Sequence, residues 1–407
     1  MKIIIIGAGI SGLSIAKMLN ETHEVLVLER DSEIGGIAKT QIIEGVAYHK
    51  IGGHCFNSKY KEVMDFVFSF MPQEDWHRVD RNARINFKDY EISYPIELAI
   101  KEIFLFDKNL AFEITKDFYT AQDDGVYKNL DEWFRKKFGN KLAEIYLIPY
   151  NTKIWGKSPS EMSHEWVVDK LPNPNLKSFF EALLESKKDF MPHSSFYYPN
   201  TNNQASFIAK MAEGINIECN VIINKINKRE NKWILNDEYE ADLVISTMPL
   251  NLLPYVLVDV PDKIIDYCKL LKYNKISTML WESEPTNKTW TYQPLKESIF
   301  HRYIHIGNFF KPVKNYTITE SLGERTYEEM SKEGLKDPSL IRPISHNISD
   351  HAYVVFDENR QNAVEEIKNY INEIGLVTLG RFGQWDYFNM DVCISESMKI
   401  FQKINKK

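Results

Sequence analysis

Residues 2–12 read KIIIIGAGISG, a run of isoleucines followed by glycines at positions 7, 9 and 12. Consecutive β-branched residues with no polar alternation describe a strand covered on both faces, as in a parallel sheet. Each glycine that follows has a separate task. Gly7 permits a tight turn, Gly9 lets backbone approach a ligand, and Gly12 lets the next helix lie close to the strand. The helix "SGLSIAKML" and a second apolar run, Val25 to Leu28, complete a strand–helix–strand unit that ends on Glu29. A carboxylate there accepts ribose hydroxyls, and a helix N-terminus above a glycine turn suits a pyrophosphate. The expectation is an α/β protein that holds a dinucleotide over Gly7, Gly9, Ile10, Ser11, Gly12 and Glu29. A glycine turn without ligand is the bland alternative.

The rest of the chain bounds the class. With 407 residues, 43% of them hydrophobic, it can bury a large core without cross-links. Its net charge of −7 gives no footprint for nucleic acid. Cys55, Cys219, Cys268 and Cys393 lie far apart, which argues against disulfides and metal sites. No stretch approaches the ~20 apolar residues of a membrane span, so no stable membrane insertion is expected and the cytoplasm is the default compartment. Residues 60–150 read as mainly helical, 215–248 and 276–330 as β, and the end as helix, strand, loop, helix. The expected fold class is α/β: a discontinuous Rossmann-type domain (1–60, 205–250, 360–407) with a helical insertion (61–150) and a β-rich substrate domain (151–204, 251–359).

Further motifs narrow the dinucleotide. After Glu29-Arg30 come Gly35-Gly36, an ERx(5)GG arrangement that resembles the second FAD signature of the glutathione-reductase-like flavoproteins. "LGRFGQWDYFNMDVCISESM", with Gly380, Arg381, Asn389 and Met390, resembles that superfamily's closing motif beside the flavin. "CNVIINKI", around Val221, resembles the strand whose backbone meets the adenine. Four further stretches resemble the UDP-galactopyranose mutase family, in the family's order. They are "HKIGGHCF" (His49, Gly52, Gly53, His54, Phe56), "PYNTKIWG" (Tyr150, Trp155), "FHRYIHIGNFF" (Arg302) and "GRFGQWDYFNMD" (Arg381, Tyr387).

That resemblance implies an FAD-dependent mutase that interconverts pyranose and furanose forms of a nucleotide sugar for surface polysaccharide synthesis. The reaction would pass through a covalent adduct of reduced flavin with the anomeric carbon, and NAD(P)H would serve as reductant. It implies His54, Arg302, Tyr353 and Tyr387 as catalytic residues, and Tyr150, Trp155, Tyr197, Arg302, Tyr353 and Tyr387 as substrate-binding ones. Gly52, Gly53 and His54 would lie at the flavin ring, and a homodimer is part of the same expectation. The core reading of Tyr150 and Trp155, of Arg302 as a surface arginine and of His54 as a buried structural histidine stands beside it.

The chain also departs from the family. "LPNPN", with Pro174, replaces an IPVR-type segment whose arginine grips the diphosphate. Asn389 stands where the closing motif carries aspartate, and "SSFYYPNTNNQ" lacks both glycines of its counterpart. The "FYYP" text resembles protoporphyrinogen-oxidase-like and amine-oxidase-like relatives. The alternatives are therefore a flavin oxidase or desaturase, and a flavin-binding protein without catalysis.

Overall fold

The computed structural model describes residues 1–167, 171, 175–184 and 194–406. The opening strand, Lys2–Ile6, is the centre of a five-stranded parallel sheet. The order is Val377–Thr378, Leu243–Ser246, Lys2–Ile6, Glu24–Leu28, Asn216–Glu218. Ile4 lies opposite Val244 on one side and Leu26 on the other. Ile3, Ile4 and Ile5 have no exposed surface, because helices cover both faces of the sheet. On one face Ile10–Leu19 and Met390–Asn405 pack through Leu13, Ile15 and Ile394. On the other, Asp262–Leu270 and Arg360–Glu373 pack through Ile264, Ile367 and Ile371. The parallel strands come from the beginning, middle and end of the chain, so the Rossmann-type sheet is discontinuous and other material is threaded between its pieces.

A second, seven-stranded sheet runs Leu340–Val354, Tyr273–Ser283, Tyr316–Leu322, Phe300–Ile304, Trp290–Tyr292, Ala83–Phe87, Tyr90–Ser93. Its last two strands, and Trp76–Asp80 before them, fall where the sequence reads as helical. In Ala83–Phe87 the buried residues Ala83, Ile85 and Phe87 alternate with half-buried Arg84 and Asn86, a period of two between helical stretches that hide it. Helices from Ile100–Phe106 to Ile148–Trp155 then close over this sheet, joining Ile103, Ile114, Trp133 and Phe134 to Ile276, Leu280 and Ile304 in one core. Residues 151–204, which read as β-rich, contribute one strand, Ser195–Pro199, among their described residues. Val221 lies in irregular chain, with the next strand starting at Ile226.

Candidate functional site

The first and last glycines of the opening motif leave no room for a side chain. Gly7 has φ +99°, and a Cβ there would meet Thr247 Oγ1 at 2.2 Å. A Cβ on Gly12 would lie 1.9 Å from the Gly7 carbonyl oxygen. The Gly35 N–H donates to the Ala8 carbonyl at 2.8 Å, and a Cβ on Gly36 would come 3.1 Å from Gly9 Cα. Gly380, at φ +91°, presses on Ser11, whose Oγ would meet its Cβ at 2.6 Å. Three segments far apart in sequence therefore close on one turn.

Helix Ile10–Leu19 carries no side-chain cap, and neither does Met390–Asn405, whose N-cap is Asn389. Their first-turn N–H groups face outward, as an acceptor-rich ligand requires. The buried Glu29 carboxylate accepts N–H groups from Ala8 (2.7 Å) and Asp31 (3.0 Å) and keeps lone pairs for a further donor. Val221 donates its N–H to the Glu29 carbonyl at 2.9 Å. Arg30 stands at the rim, exposed and 3.5 Å from Asp31. Ile10 and Ser11 are buried in the first turn, and Met390 sulfur accepts from Gln204 at 3.8 Å. Glycines that exclude every side chain, together with uncapped helix ends, fit a dinucleotide.

The second sheet supplies a different kind of site. Tyr292, Arg302, Glu320 and Thr278 lie opposite one another on four consecutive strands, so their side chains share one face. A bulge at His301 lets two adjacent residues face Glu320. The Glu320 carboxylate, with no exposed surface, accepts from Arg302 Nη2 (2.7 Å), His301 Nε2 (3.1 Å) and the Tyr353 hydroxyl (2.9 Å). Burial works to raise its pKa, but Arg302 and His301 hold the carboxyl well below the usual range. Arg302 Nη2 also donates to the Tyr353 hydroxyl at 2.9 Å, while its Nε has no partner among the described residues.

The glycine turn and the second sheet meet in one cleft. A Cβ on Gly52 would lie 3.3 Å from Arg302 Nη2 and 3.5 Å from Glu320. One on Gly53 would strike Ile304 at 2.8 Å. His54 follows, its pKa lowered to about 4 by burial and by Arg381, so the ring is neutral at pH 7. Its Nε2 is buried and has no partner among the described residues. The His54 N–H donates to His49 Nδ1, which leaves His49 Nε2 to donate to the Tyr198 hydroxyl at 2.8 Å. Arg381 lies over the rings of Tyr387 (4.4 Å) and Tyr353 (5.2 Å), and its Nε and Nη2 have no hydrogen-bond partner among the described residues. Trp155 packs edge-on against Tyr353, Tyr387 and Trp166. Tyr150 packs against Tyr146 and Tyr292, its hydroxyl 3.3 Å from the His301 carbonyl.

Tyr197 does not join them. On Ser195–Pro199, Phe196 and Tyr198 enter the core beneath the second sheet, whereas Tyr197 turns to the opposite face, against Phe68 and Gln73. Strand periodicity sends it away from the cleft. Its neighbour Tyr198 supports His49 from behind. Pro174 lies outside the described residues.

Three contributors escaped the sequence reading. Glu320 sits in "YTITESL", where a buried charge in an inner strand was the available signal. Arg81 donates Nη2 to the Tyr292 hydroxyl at 2.8 Å, is flanked by Trp290 (4.8 Å) and Tyr94 (5.6 Å), and has an unpartnered Nε. Glu97 is buried nearby, and desolvation pushes its carboxyl up to about 8. No motif marks either residue.

Comparison with known proteins agrees with this architecture. Residues 5–70 match a family described as an NAD(P)-binding Rossmann-like domain. A UDP-galactopyranose mutase of Mycoplasma genitalium is 24% identical over 99% of this chain and 94% of its own. A dTDP-fucopyranose mutase of Escherichia coli is 22% identical over 98% and 97%. The crystal structure of a reduced UDP-galactopyranose mutase superposes with a TM-score of 0.86 at 20% identity, covering 100% of this chain and 95% of that one. An Exiguobacterium protein assigned as a protoporphyrinogen oxidase superposes at 0.77 and 15% identity, covering 99% and 98%. From end to end the chain is similar in sequence to UDP-galactopyranose and dTDP-fucopyranose mutases, and it shares the fold of a UDP-galactopyranose mutase.

Proposed function

We propose that the chain is an FAD-dependent mutase that interconverts the pyranose and furanose forms of a nucleotide sugar. The observation that carries this reading is the charge of the cleft. Arg81, Arg302 and Arg381 face it, Glu320 is already paired with Arg302, and Glu97 is neutralised by burial. Such a cleft stabilises an anion, as a nucleoside diphosphate requires, and Arg302 offers the planar fork that suits a phosphate. It is unlike the apolar pocket of an amine oxidase.

FAD would lie with its diphosphate on Gly7, Gly9 to Gly12, Gly35 and Gly36, its ribose on Glu29 with Arg30 at the rim, and its adenine beside Val221. Gly52, Gly53, His54, Gly380, Arg381, Asn389 and Met390 would surround the ring. Reduced flavin supplies a nucleophile for the anomeric carbon, which accounts for a cleft without an activated side-chain nucleophile. The neutral His54 ring offers Nε2 as an acceptor and adds no charge beside the ring. Arg302, Tyr353 and Tyr387 hold the diphosphate while Tyr150 and Trp155 flank the base. NAD(P)H serves as reductant, and the product feeds surface polysaccharide synthesis in the cytoplasm. Among the described residues no helix is long and apolar enough to cross a membrane. Exposed Phe104, Leu105 and Phe112 on the helical insertion give a homodimer an apolar face.

The test is incubation with UDP-galactose and with dTDP-fucose, the flavin oxidised or dithionite-reduced. Ring isomerisation only in the reduced enzyme, with no net redox change, is the expected result. Flavin reduction by substrate with peroxide on reoxidation would sink the reading in favour of an oxidase. Arg302→Ala should retain flavin and lose nucleotide-sugar affinity, and unchanged affinity would remove Arg302 from the substrate site.

A further inference from the structure

The edge strand of the parallel sheet, Val377–Thr378, runs between helices Arg360–Glu373 and Met390–Asn405 and leaves a cleft of about 470 Å³. The cleft shares no lining residue with the reaction site. Lys368 enters it from the first helix, and Lys399, Lys403 and Lys406 from the second. Among the described residues Glu396 is its one lining carboxylate, and Lys399 already holds that at 2.6 Å. Lys368, Lys403 and Lys406 have no ion pair or hydrogen bond to the described residues.

Lysines commonly guard an exposed sheet edge, where they are fully solvated. That accounts for Lys403 and Lys406, which are exposed. It does not account for Lys368, which is half-buried. Burial lowers its pKa, Asp386 and Glu396 offset part of that, and Arg360 and Lys403 add to it. An unpaired, desolvated ammonium facing further ammonium groups across an open cleft is a cation site without its anion.

We propose that this cleft binds a phosphate-bearing ligand, at a site separate from the reaction cleft and independent of the catalytic reading. The place of the site gives the ligand a consequence. Gln384 lines the cleft, and its backbone N–H donates to the Gly380 carbonyl at 2.8 Å. The same turn presses Gly380 on Ser11 and carries Arg381 and Tyr387 into the reaction cleft. An anion held by Lys368 and Lys403 therefore braces, from behind, the turn that closes the glycine cradle.

Pyrophosphate titrated calorimetrically into the flavin-loaded protein, near 0.1 M salt where screening acts over about 10 Å, tests a soluble ligand. Co-sedimentation with phosphatidylcholine vesicles, with and without phosphatidylglycerol, tests a lipid headgroup. Lys368→Gln/Lys403→Gln should weaken one of these by about ten-fold or more, as loss of charge-assisted bonds does. Binding that survives in the variant belongs to the reaction cleft. Lys403→Gln/Lys406→Gln, both exposed, is the second variant should the first not fold, and it should give the same weakening. Loss in the pyrophosphate arm marks a soluble ligand, and loss in the vesicle arm a headgroup. No binding in either arm, or variants equal to wild type in both, overturns the site.

Discussion

The glycine cradle and the charged cleft lie against each other, yet they are built from opposite materials. The cradle is glycine pressed on its surroundings: Gly36 on the Gly9 backbone, Gly12 on the Gly7 carbonyl, Gly380 on the Ser11 side chain. Its shape depends on glycine at the crowded positions, and a Cβ on Gly7, Gly12 or Gly380 would collide with a neighbour. The cleft is side chain against side chain, with Tyr292, Arg302 and Glu320 brought into one row by strand pairing. Its charges are desolvated and stable only as a set. A cradle fails by crowding, whereas a cleft fails by loss of a partner.

The largest effect is expected in the cleft. Glu320→Ala leaves Arg302 buried without a counter-ion and should cost roughly 3–5 kcal/mol of stability. A denaturant titration showing less than about 1 kcal/mol would mean that solvent, and not Glu320, compensates Arg302. Next comes the cradle, where Gly12→Ala puts a Cβ 1.9 Å from the Gly7 oxygen. We expect a loss of ~1–3 kcal/mol together with loss of bound flavin, read by absorbance of the purified protein. Retained flavin would show that the turn can open, which would erase the contrast with the cleft.

Two smaller effects separate residues that support the cleft from residues that only adjoin it. Tyr198→Phe leaves buried His49 Nε2 unpaired and should cost about 1–3 kcal/mol, while Tyr197→Phe should stay within about 0.5 kcal/mol and leave activity unchanged. Equal penalties would put Tyr197 back at the site. The smallest is a pH effect. The folded-state pKa of His54 is lowered from 6.5 to about 4, so the unfolded chain takes up a proton that the native ring refuses. Stability is then full above pH 6.5 and declines as pH falls from 6.5 toward 4. His54→Gln should flatten that leg by a few degrees of melting temperature, measured at pH 7 and pH 5. A variant whose pH profile matches wild type would assign the decline to His49, His301, His305 or His351, which burial also lowers.

How much of this was legible follows the same division. Gly7, Gly9, Gly12, Gly35, Gly36 and Gly380 could be read because a turn without side chains admits one residue type at fixed spacing. Arg302, Tyr353 and Tyr387 are expected from motif resemblance, and Tyr353 touches both of the others. Glu320, Arg81 and Glu97 were not found, because a cross-strand partner has no fixed sequence offset. Tyr197, which the resemblance puts at the substrate, lies against Phe68 and Gln73 because successive residues of a strand take opposite faces. The strands at 76–93 were read as helix because short alternation was outweighed by helical spacing on either side.

By itself the sequence determined a parallel sheet opening on Lys2–Ile6 and a dinucleotide cradle over its end, since both rest on local sterics that a motif encodes. Tertiary structure alone decided which charges face the reaction cleft and which are paired. Burial and strand register set those, and they belong to the folded whole rather than to any stretch of chain.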